Sequence, residues 1–320
     1  MRIEIIGAES LGVRGLCCFV EAGARKILID PGIALGYVRN GFAPHPAQVA
    51  VGEAIREDIK KAWRLATDIV LSHYHGDHVP LVDANPYQLD VSEVADLNPG
   101  VRVWAKTAEY LSTKELNRSS ALKASLDAKW QEGTLGRGSF IFSTPVPHGE
   151  KKEPGEKVMM TRIEDHTVFV HASDIQLLDD DTVDLVLEWK PDVLLAGGPP
   201  LYLQRLSSKQ RNRAWENALR LANSVDRLIL DHHLLRNREG LEWLRRLSME
   251  SGREVLCAAD FMGKPRLLLE AERKALYDEM PVPPDWHQDY AEGKATTRGF
   301  HKFIPGHTVK NEKSGTSICK

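Results

Sequence analysis

His73-Tyr74-His75-Gly76-Asp77-His78 follows, one serine later, the apolar run Ile69-Val70-Leu71. Three imidazoles and one carboxylate thus fall within six residues. These are the donors a borderline divalent metal prefers. Four of them on one short turn pack poorly as core. A loop at a strand's carboxyl end is also where α/β proteins place their chemistry. The spacing suits two ions, with His73 and His75 reaching one while Asp77 and His78 curl back toward another. The plain alternative is a histidine-rich surface loop that binds nothing. The density of donors and the strand-to-loop setting weigh against it.

Outward from this loop, the pattern is that of a mixed α/β chain. Arg2 to Ile6 alternates, Leu16 to Val20 is apolar, and Lys26 to Asp30 runs into the turn Asp30-Pro31-Gly32. Gly36 to Val51 reads as a loop, and Gly52 to Ala66 as a helix with Ile55, Ile59, Ala62, Trp63 and Ala66 on one face. Residues 79–100 read as an insertion beside the motif, of a kind that can serve as a lid. Val101 to Ala105 predicts a strand and Thr107 to Trp130 a helix. Strands are then expected over Ser139 to Phe142, Val158 to Ile163 and Thr167 to His171, the last two as a hairpin. A short helix follows over Asp184 to Trp189 and a strand over Val193 to Ala196, ending in Gly197-Gly198-Pro199-Pro200, read as a substrate-contacting loop. Ser207 and Gln210 form a capping-box pattern before a helix ending near Asn223. Arg227 to Leu230, Asn237 to Ser251 and Glu254 to Cys257 complete the pattern as strand, helix and strand. After Asp260 a single amphipathic helix is expected over Lys264 to Met280, and 311–320 is polar enough for disorder.

Two metals with a reactive water between them need about seven protein donors. The motif offers four, so two histidines and a bridging carboxylate should stand just past other strands. His148 in Pro145-Val146-Pro147-His148, Asp174 in His171-Ala172-Ser173-Asp174 and His232 in Leu230-Asp231-His232-His233 do so. A loop histidine and a turn or helix-cap aspartate are the plain readings of His148 and Asp174. His232 is preferred to His233 because it is closer to the strand end.

The order His-x-His-x-Asp-His, then His, Asp and His, resembles the signature of the metallo-β-lactamase superfamily. That resemblance implies a four-layer αββα sandwich with a dinuclear site at one edge. It puts His73, His75 and His148 on one metal, and Asp77, His78 and His232 on the other, with Asp174 bridging. Asp77 is then also the catalytic candidate, as the residue that orients the nucleophile. Asp30 resembles the strand-end aspartate that steadies a ligand from behind. His171, His233 and Arg236 are candidates for support or substrate contact, although a core role suits His171 equally. Aspartate at the bridging position, where many β-lactamases have cysteine, disfavours antibiotic hydrolysis. His75, where flavodiiron oxygen reductases have glutamate, disfavours a redox di-iron role. Glu9-Ser10-Leu11-Gly12-Val13-Arg14, Leu28-Ile29-Asp30-Pro31-Gly32 and Asp231-His232-His233-Leu234-Leu235-Arg236 resemble a mainly archaeal branch, which brings no substrate with it.

The implied activity is metal-dependent hydrolysis with two divalent ions, zinc first, although iron or manganese can use the same ligands. A phosphodiester, in a small molecule or nucleotide, is the first substrate class. A carboxylic ester, thioester or lactone is the alternative, and a non-catalytic metal-binding sensor or scaffold is a third reading. A net charge of −3 gives no basic field to collect nucleic acid. No apolar run approaches the ~20 residues of a membrane helix, and the start reads as a strand rather than a signal peptide. A cytoplasmic protein without membrane partners is expected, and a homo-oligomer is compatible. The four cysteines read as reduced small hydrophobes. His45, His166, His287, His301 and His307 read as surface residues. The expected organisation is a domain over 1–259 with an extension over 260–320 packed on it.

Overall fold

The computed structural model describes residues 1–39, 41–133, 138–151 and 156–304, so the end at 311–320 lies outside the described residues. The chain opens as an antiparallel meander, β1 (Arg2–Gly7), β2 (Cys17–Ala22) and β3 (Arg25–Ile29). The β2–β3 turn uses Gly23 at a positive φ of 55°. Helix α1 (Pro46–Leu65) then crosses to β4 (Asp68–Leu71), which pairs in parallel with β3. β5 (Val101–Ala105), helix α2 (Thr113–Ser125) and β6 (Ala128–Glu132) finish the first sheet, in the order β1-β2-β3-β4-β5-β6.

β7 (Phe140–Phe142) begins a second sheet, while β8 (Val146–Pro147) and β9 (Lys157–Val158) form a small separate hairpin. β10 (Thr161–Glu164) and β11 (Val168–His171) pair as the expected hairpin. Helix α3 (Asp180–Glu188), β12 (Val193–Ala196), helix α4 (Ser208–Ser224), β13 (Arg227–Leu230), helix α5 (Glu239–Ser251) and β14 (Val255–Leu256) follow. The second sheet runs β14-β13-β12-β11-β10-β7. Each sheet therefore joins three parallel pairs to two antiparallel ones. Buried residues of both sheets belong to one apolar cluster. Helix α1 packs on β1 and β3, and α4 and α5 on β13 and β14. No described helix is long and apolar enough to cross a membrane.

Four expectations need correction. Helix α1 starts at Pro46 rather than Gly52, capped by the His45 ring, which accepts from Ala47 N. Its first seven residues are all buried, so no polar face marks them as helical. The expected helix to Trp130 ends at Ser125, and Ala128–Glu132 is instead an edge strand, mostly exposed and polar and held by parallel pairing to β5. The expected strand Val158 to Ile163 is broken in two, because Met159 N bonds Ser72 O and Met160 N bonds Ser143 Oγ. The expected helix Lys264 to Met280 is helical only as α7 (Arg273–Glu279), which lies between the short α6 (Ala258–Phe261) and α8 (Trp286–Ala291). Its first half is extended, with Leu267 bridged to Leu11 and Leu268 and Leu269 buried.

Two histidines read as surface residues are structural. His45 is fully buried, and the His287 ring lies between the hydroxyls of Tyr87 and Tyr277. Residues 79–100 bury Val79, Leu81, Leu89, Val91 and Val94, and Gly76 of the motif lies against Leu81 and Gln88. Cys17, Cys18 and Cys257 are free and buried.

The extended segment after α6 is fastened by Glu270, which takes a two-pronged bond from Arg14 at 2.6 and 2.5 Å and a third from Arg39 at 3.0 Å. Burial raises the carboxyl's pKa, but Arg14 outweighs burial and brings it down to about 2. A depressed carboxylate pKa stabilises the fold above the ordinary glutamate value and loses that contribution as pH falls toward 2. Urea melts of wild type should therefore weaken between pH 4.5 and 2, and Glu270→Gln should flatten part of that fall. Identical pH profiles would contradict the assignment.

Candidate metal centre

The motif loop leaves β4 and closes on itself, with His78 N bonding His75 O at 2.9 Å and Val79 N the same oxygen at 3.1 Å. The His73 ring lies against those of both His75 and His78, with centroids 4.4 and 4.3 Å away. The loop is held from β3 by Asp30, which sits at a φ of 49°. Its carboxylate accepts from Ser72 N at 2.8 Å, Ser72 Oγ at 2.7 Å and Ser173 Oγ at 3.0 Å, and lies 3.0 Å from His78 Nδ1. With the Nδ1 proton committed to Asp30, the His78 Nε2 lone pair faces inward, as a metal-ligating histidine requires.

The other strand ends converge on the same point. Asp174 follows β11, His148 sits between β8 and β9, and His232 and His233 follow β13. Asp174 Oδ2 lies 3.1 Å from His78 Nε2, 3.2 Å from His233 Nε2 and 3.4 Å from His232 Nε2. It is also 3.5 Å from His148 Nε2 and 3.7 Å from His73 Nε2. Gly197 leaves room for this approach, since a Cβ there would meet Asp174 Cα at 3.2 Å and the His233 ring at 3.4 Å. Donor atoms cluster as His73, His75 and Asp174, as Asp77, His78 and His232, and as His148, Asp174 and His233. Every residue expected as a ligand is therefore brought together.

The electrostatics show what this centre lacks. Asp174 is sealed from solvent, and among the described residues neither carboxylate oxygen has a hydrogen-bond partner. The inward nitrogens of His73 and His78 are equally unpartnered. A buried carboxylate without donors is costly unless a cation stands beside it. The imidazoles cannot all supply that charge. Burial and the neighbouring His78 and His75 push His73 well below the ordinary histidine pKa. Burial and Arg236 do the same to His233. Burial opposes the His78 imidazolium too, but Asp174 and Asp30 outweigh it and hold His78 well above. Burial and the His78, His232 and Arg236 charges compete at Asp77, and the charges win, lowering it. Divalent cations among these donors would satisfy the carboxylates and lone pairs together, so the residues fit such ions.

Three findings refine the sequence reading. His232 and His233 are not alternatives, because both aim Nε2 at Asp174, and His233 Nε2 also lies 3.1 Å from His148 Nε2. His171 belongs to no metal-capable group and bonds the Leu16 carbonyl from its Nε2 at 2.8 Å. Arg236 lies with Nη2 at 2.7 Å from His232 Nε2 and 3.4 Å from Asp77 Oδ2. Gly15 N meets His232 on its other face, at Nδ1, at 3.2 Å. A neutral imidazole carries one ring proton, so it cannot accept from both donors. Glu9 Oε2, buried and unpartnered among the described residues 3.7 Å from Nδ1, is placed to accept a hydrogen bond once the ring proton sits on Nδ1, which frees Nε2 for a cation. An ion on Asp77, His78 and His232 thus requires the Arg236 guanidinium to give way.

Sequence reasoning missed Glu9, Ser72, Ser173 and Glu156, whose carboxylate lies 3.1 Å from His75 Nε2. Glu9 stands in a quoted stretch, but its burial next to His232 depends on contacts more than 200 residues apart. Nothing in the sequence marks Glu156, which is largely exposed.

Ions that bind only the folded chain stabilise it by mass action, by roughly 4 kcal/mol at a thousandfold excess over Kd. Adding zinc or manganese to chelator-treated protein should raise Tm by about 5 °C or more. A Tm indifferent to both chelator and metal would contradict the reading of the buried donors.

No family model matches the chain. It is 49% identical over 305 residues to a UPF0282 protein of Methanosarcina mazei, covering 94% of this chain and 99% of that one. UPF0282 proteins of Pyrococcus furiosus and Pyrococcus horikoshii are 35% and 33% identical, covering 87% and 88% of this chain and 92% and 96% of theirs. Among solved structures, a mutant of CmlA beta-hydroxylase is similar with a TM-score of 0.43 and 14% identity, over 77% of this chain and about half, 51%, of that one. Similarity to full-length relatives at this level shows that the chain belongs to the UPF0282 family.

Proposed function

We propose that this chain is a dinuclear metal-dependent hydrolase built on the four-layer αββα sandwich, with a core over 1–259 and a C-terminal extension. The observation that carries the proposal is the Asp174 carboxylate, buried without a hydrogen bond and ringed by five histidine nitrogens. His73, His75 and His148 would hold one ion, with His233 beside them. Asp77, His78 and His232 would hold the other, and Asp174 would serve both. Zinc suits the imidazole-rich donors best, and iron or manganese can use the same set. Two such ions, when bound, supply Lewis acidity and lower the pKa of water at neutral pH.

The chain's own residues supply position and charge. Asp30 fixes the His78 ring through Nδ1 and ties the motif loop to Ser173, next to Asp174. His73 and His78 are buried, whereas His75, Asp77 and His148 are partly open to solvent. Substrate would approach on this open side, where the Asp77 carboxylate, kept ionised by the charges around it, can orient an attacking water. Arg236 stands at that edge, 3.4 Å from Asp77 and 3.1 Å from the Tyr202 hydroxyl. A guanidinium there favours an anionic substrate, which supports a phosphodiester as the substrate class. An ester or lactone would call for an apolar pocket, but Tyr202, a candidate wall for one, is engaged by Arg39 and Arg236 instead.

The test is hydrolysis of bis-p-nitrophenyl phosphate by zinc- or manganese-loaded protein, with Asp77→Asn alongside. Turnover should fall by at least a hundredfold in the variant while metal content is retained. Equal turnover in both proteins would mean contamination or a site elsewhere. No turnover by wild type with two metals bound would remove the phosphodiester reading.

A further inference from the structure

Beside the metal centre lies a second cluster that the hydrolytic reading does not use. Arg14, on the loop after β1, and Arg39, on the loop before α1, both bond one carboxylate, that of Glu270. Arg236 adds a third guanidinium, with Nε 3.6 Å from Glu9 Oε2 and no hydrogen bond at either atom. Arg39 and Arg236 lie over the same Tyr202 ring, at 5.3 and 5.8 Å from its centroid. Arg273 stands behind, bonded to the carbonyls of Gly36 and Phe42 and to Gln48. Gly36 lets the Arg14 guanidinium pass close to the backbone, since a Cβ there would meet Arg14 Nη2 at 2.3 Å unless the side chain shifted.

The charges do not balance. Four guanidiniums face three carboxylates, Glu9, Glu270 and Asp77, so one positive charge remains with all three ionised, and two remain where the Asp77 charge is taken up by an ion. Like charges gathered in a half-buried place persist when an anion is meant to join them. Arg39 has one hydrogen-bond partner among the described residues, Glu270, which leaves most of its fork unused. The Arg14, Arg39 and Arg236 side chains retain 26%, 17% and 9% of their exposure, so solvent reaches the cluster.

We infer that Arg14, Arg39 and Arg236 form a subsite for a phosphate group of the substrate, with Glu270 as the positioning residue that keeps two of the arginines in place. A phosphomonoester carries roughly −1.5 to −2 charges at pH 7 and three acceptor oxygens, which suit several guanidinium forks at once better than a single carboxylate does. The substrate class is thus a phosphodiester that bears a second, terminal phosphate away from the bond to be cut. This deepens the hydrolytic reading and rests on it for the scissile bond, but not for the anion site. It also gives the segment after α6 a task, since Glu270 is its contribution to the site.

The test is calorimetric titration of inorganic phosphate into the full-length zinc-loaded protein and into metal-stripped protein. Wild type, Arg39→Gln, Arg39→Lys and Glu270→Gln would be compared, with metal content and Tm recorded for each. Arg39→Gln should weaken phosphate binding at least tenfold in both forms with metal content unchanged, Arg39→Lys should fall between, and Glu270→Gln should weaken it as well. Arg39 is partly exposed, so its variants test the site without emptying the core. Undiminished affinity in a folded Arg39→Gln, or loss of all phosphate binding by wild type on stripping the metal, would overturn the subsite. Phosphate binding by stripped wild type, with no phosphodiester turnover by the zinc-loaded protein, would leave the anion site standing and remove the phosphodiester reading instead.

Discussion

A single carboxylate with no hydrogen-bond donor organises this molecule. Asp174 sits past the end of β11 with both oxygens buried and unpartnered among the described residues, and five histidine nitrogens from three loops approach one of those oxygens within 3.7 Å. Such a group would ordinarily be expelled or neutralised, because an uncompensated buried charge costs several kcal/mol. Here the surrounding strands hold it in place. The imidazoles compete for protons they cannot all carry, as the opposite shifts of His73 and His78 show. The folded chain therefore stores an electrostatic demand that cations can meet.

Two further buried carboxylates make that arrangement possible, one at the edge of each sheet's central strands. Asp30, after β3, gathers Ser72, Ser173 and His78. Asp231, after β13, accepts from Ser10 N, Ser10 Oγ, His232 N and Ala258 N at 3.0, 2.5, 2.6 and 2.9 Å. Each is satisfied by donors from distant segments, so each fixes a ligand loop against the opposite half of the chain. The parallel is also topological, since each sheet joins three parallel pairs to two antiparallel ones. Asp231 further ties the start of α6 to the loop after β1, which brings Glu270 within reach of Arg14 and Arg39.

The donors were legible because their spacing and their strand-end positions are local properties. His73, His75, Asp77 and His78 lie within six residues, and His148, Asp174 and His232 each follow an apolar run. The Ser207 capping box was legible for the same reason, and both of its reciprocal bonds form. What escaped depends on distance along the chain. The first turns of α1 hid because they are buried on every side. β6 hid because a polar edge strand at the end of a helix has no punctuation of its own. The segment after Lys264 has the periodicity of a helix, but its pairing with Leu11 wins. Glu270 meets Arg14 across 256 residues, a contact no local pattern encodes. His232 is preferred to His233 in the sequence because it is closer to the strand end, yet neighbouring residues of an extended strand would point apart. The positive φ of His232, 47°, breaks that alternation and lets both rings face Asp174.

The most direct test of the central claim is the metal content of the purified full-length protein after reconstitution with zinc and exhaustive dialysis, measured by plasma mass spectrometry for wild type and Asp174→Ala. A carboxylate that serves two ions predicts about two zinc per chain in wild type and a loss of at least one in the variant, with the secondary structure kept. Wild type that retains no metal, or an Asp174→Ala protein that keeps the full complement, would contradict the account.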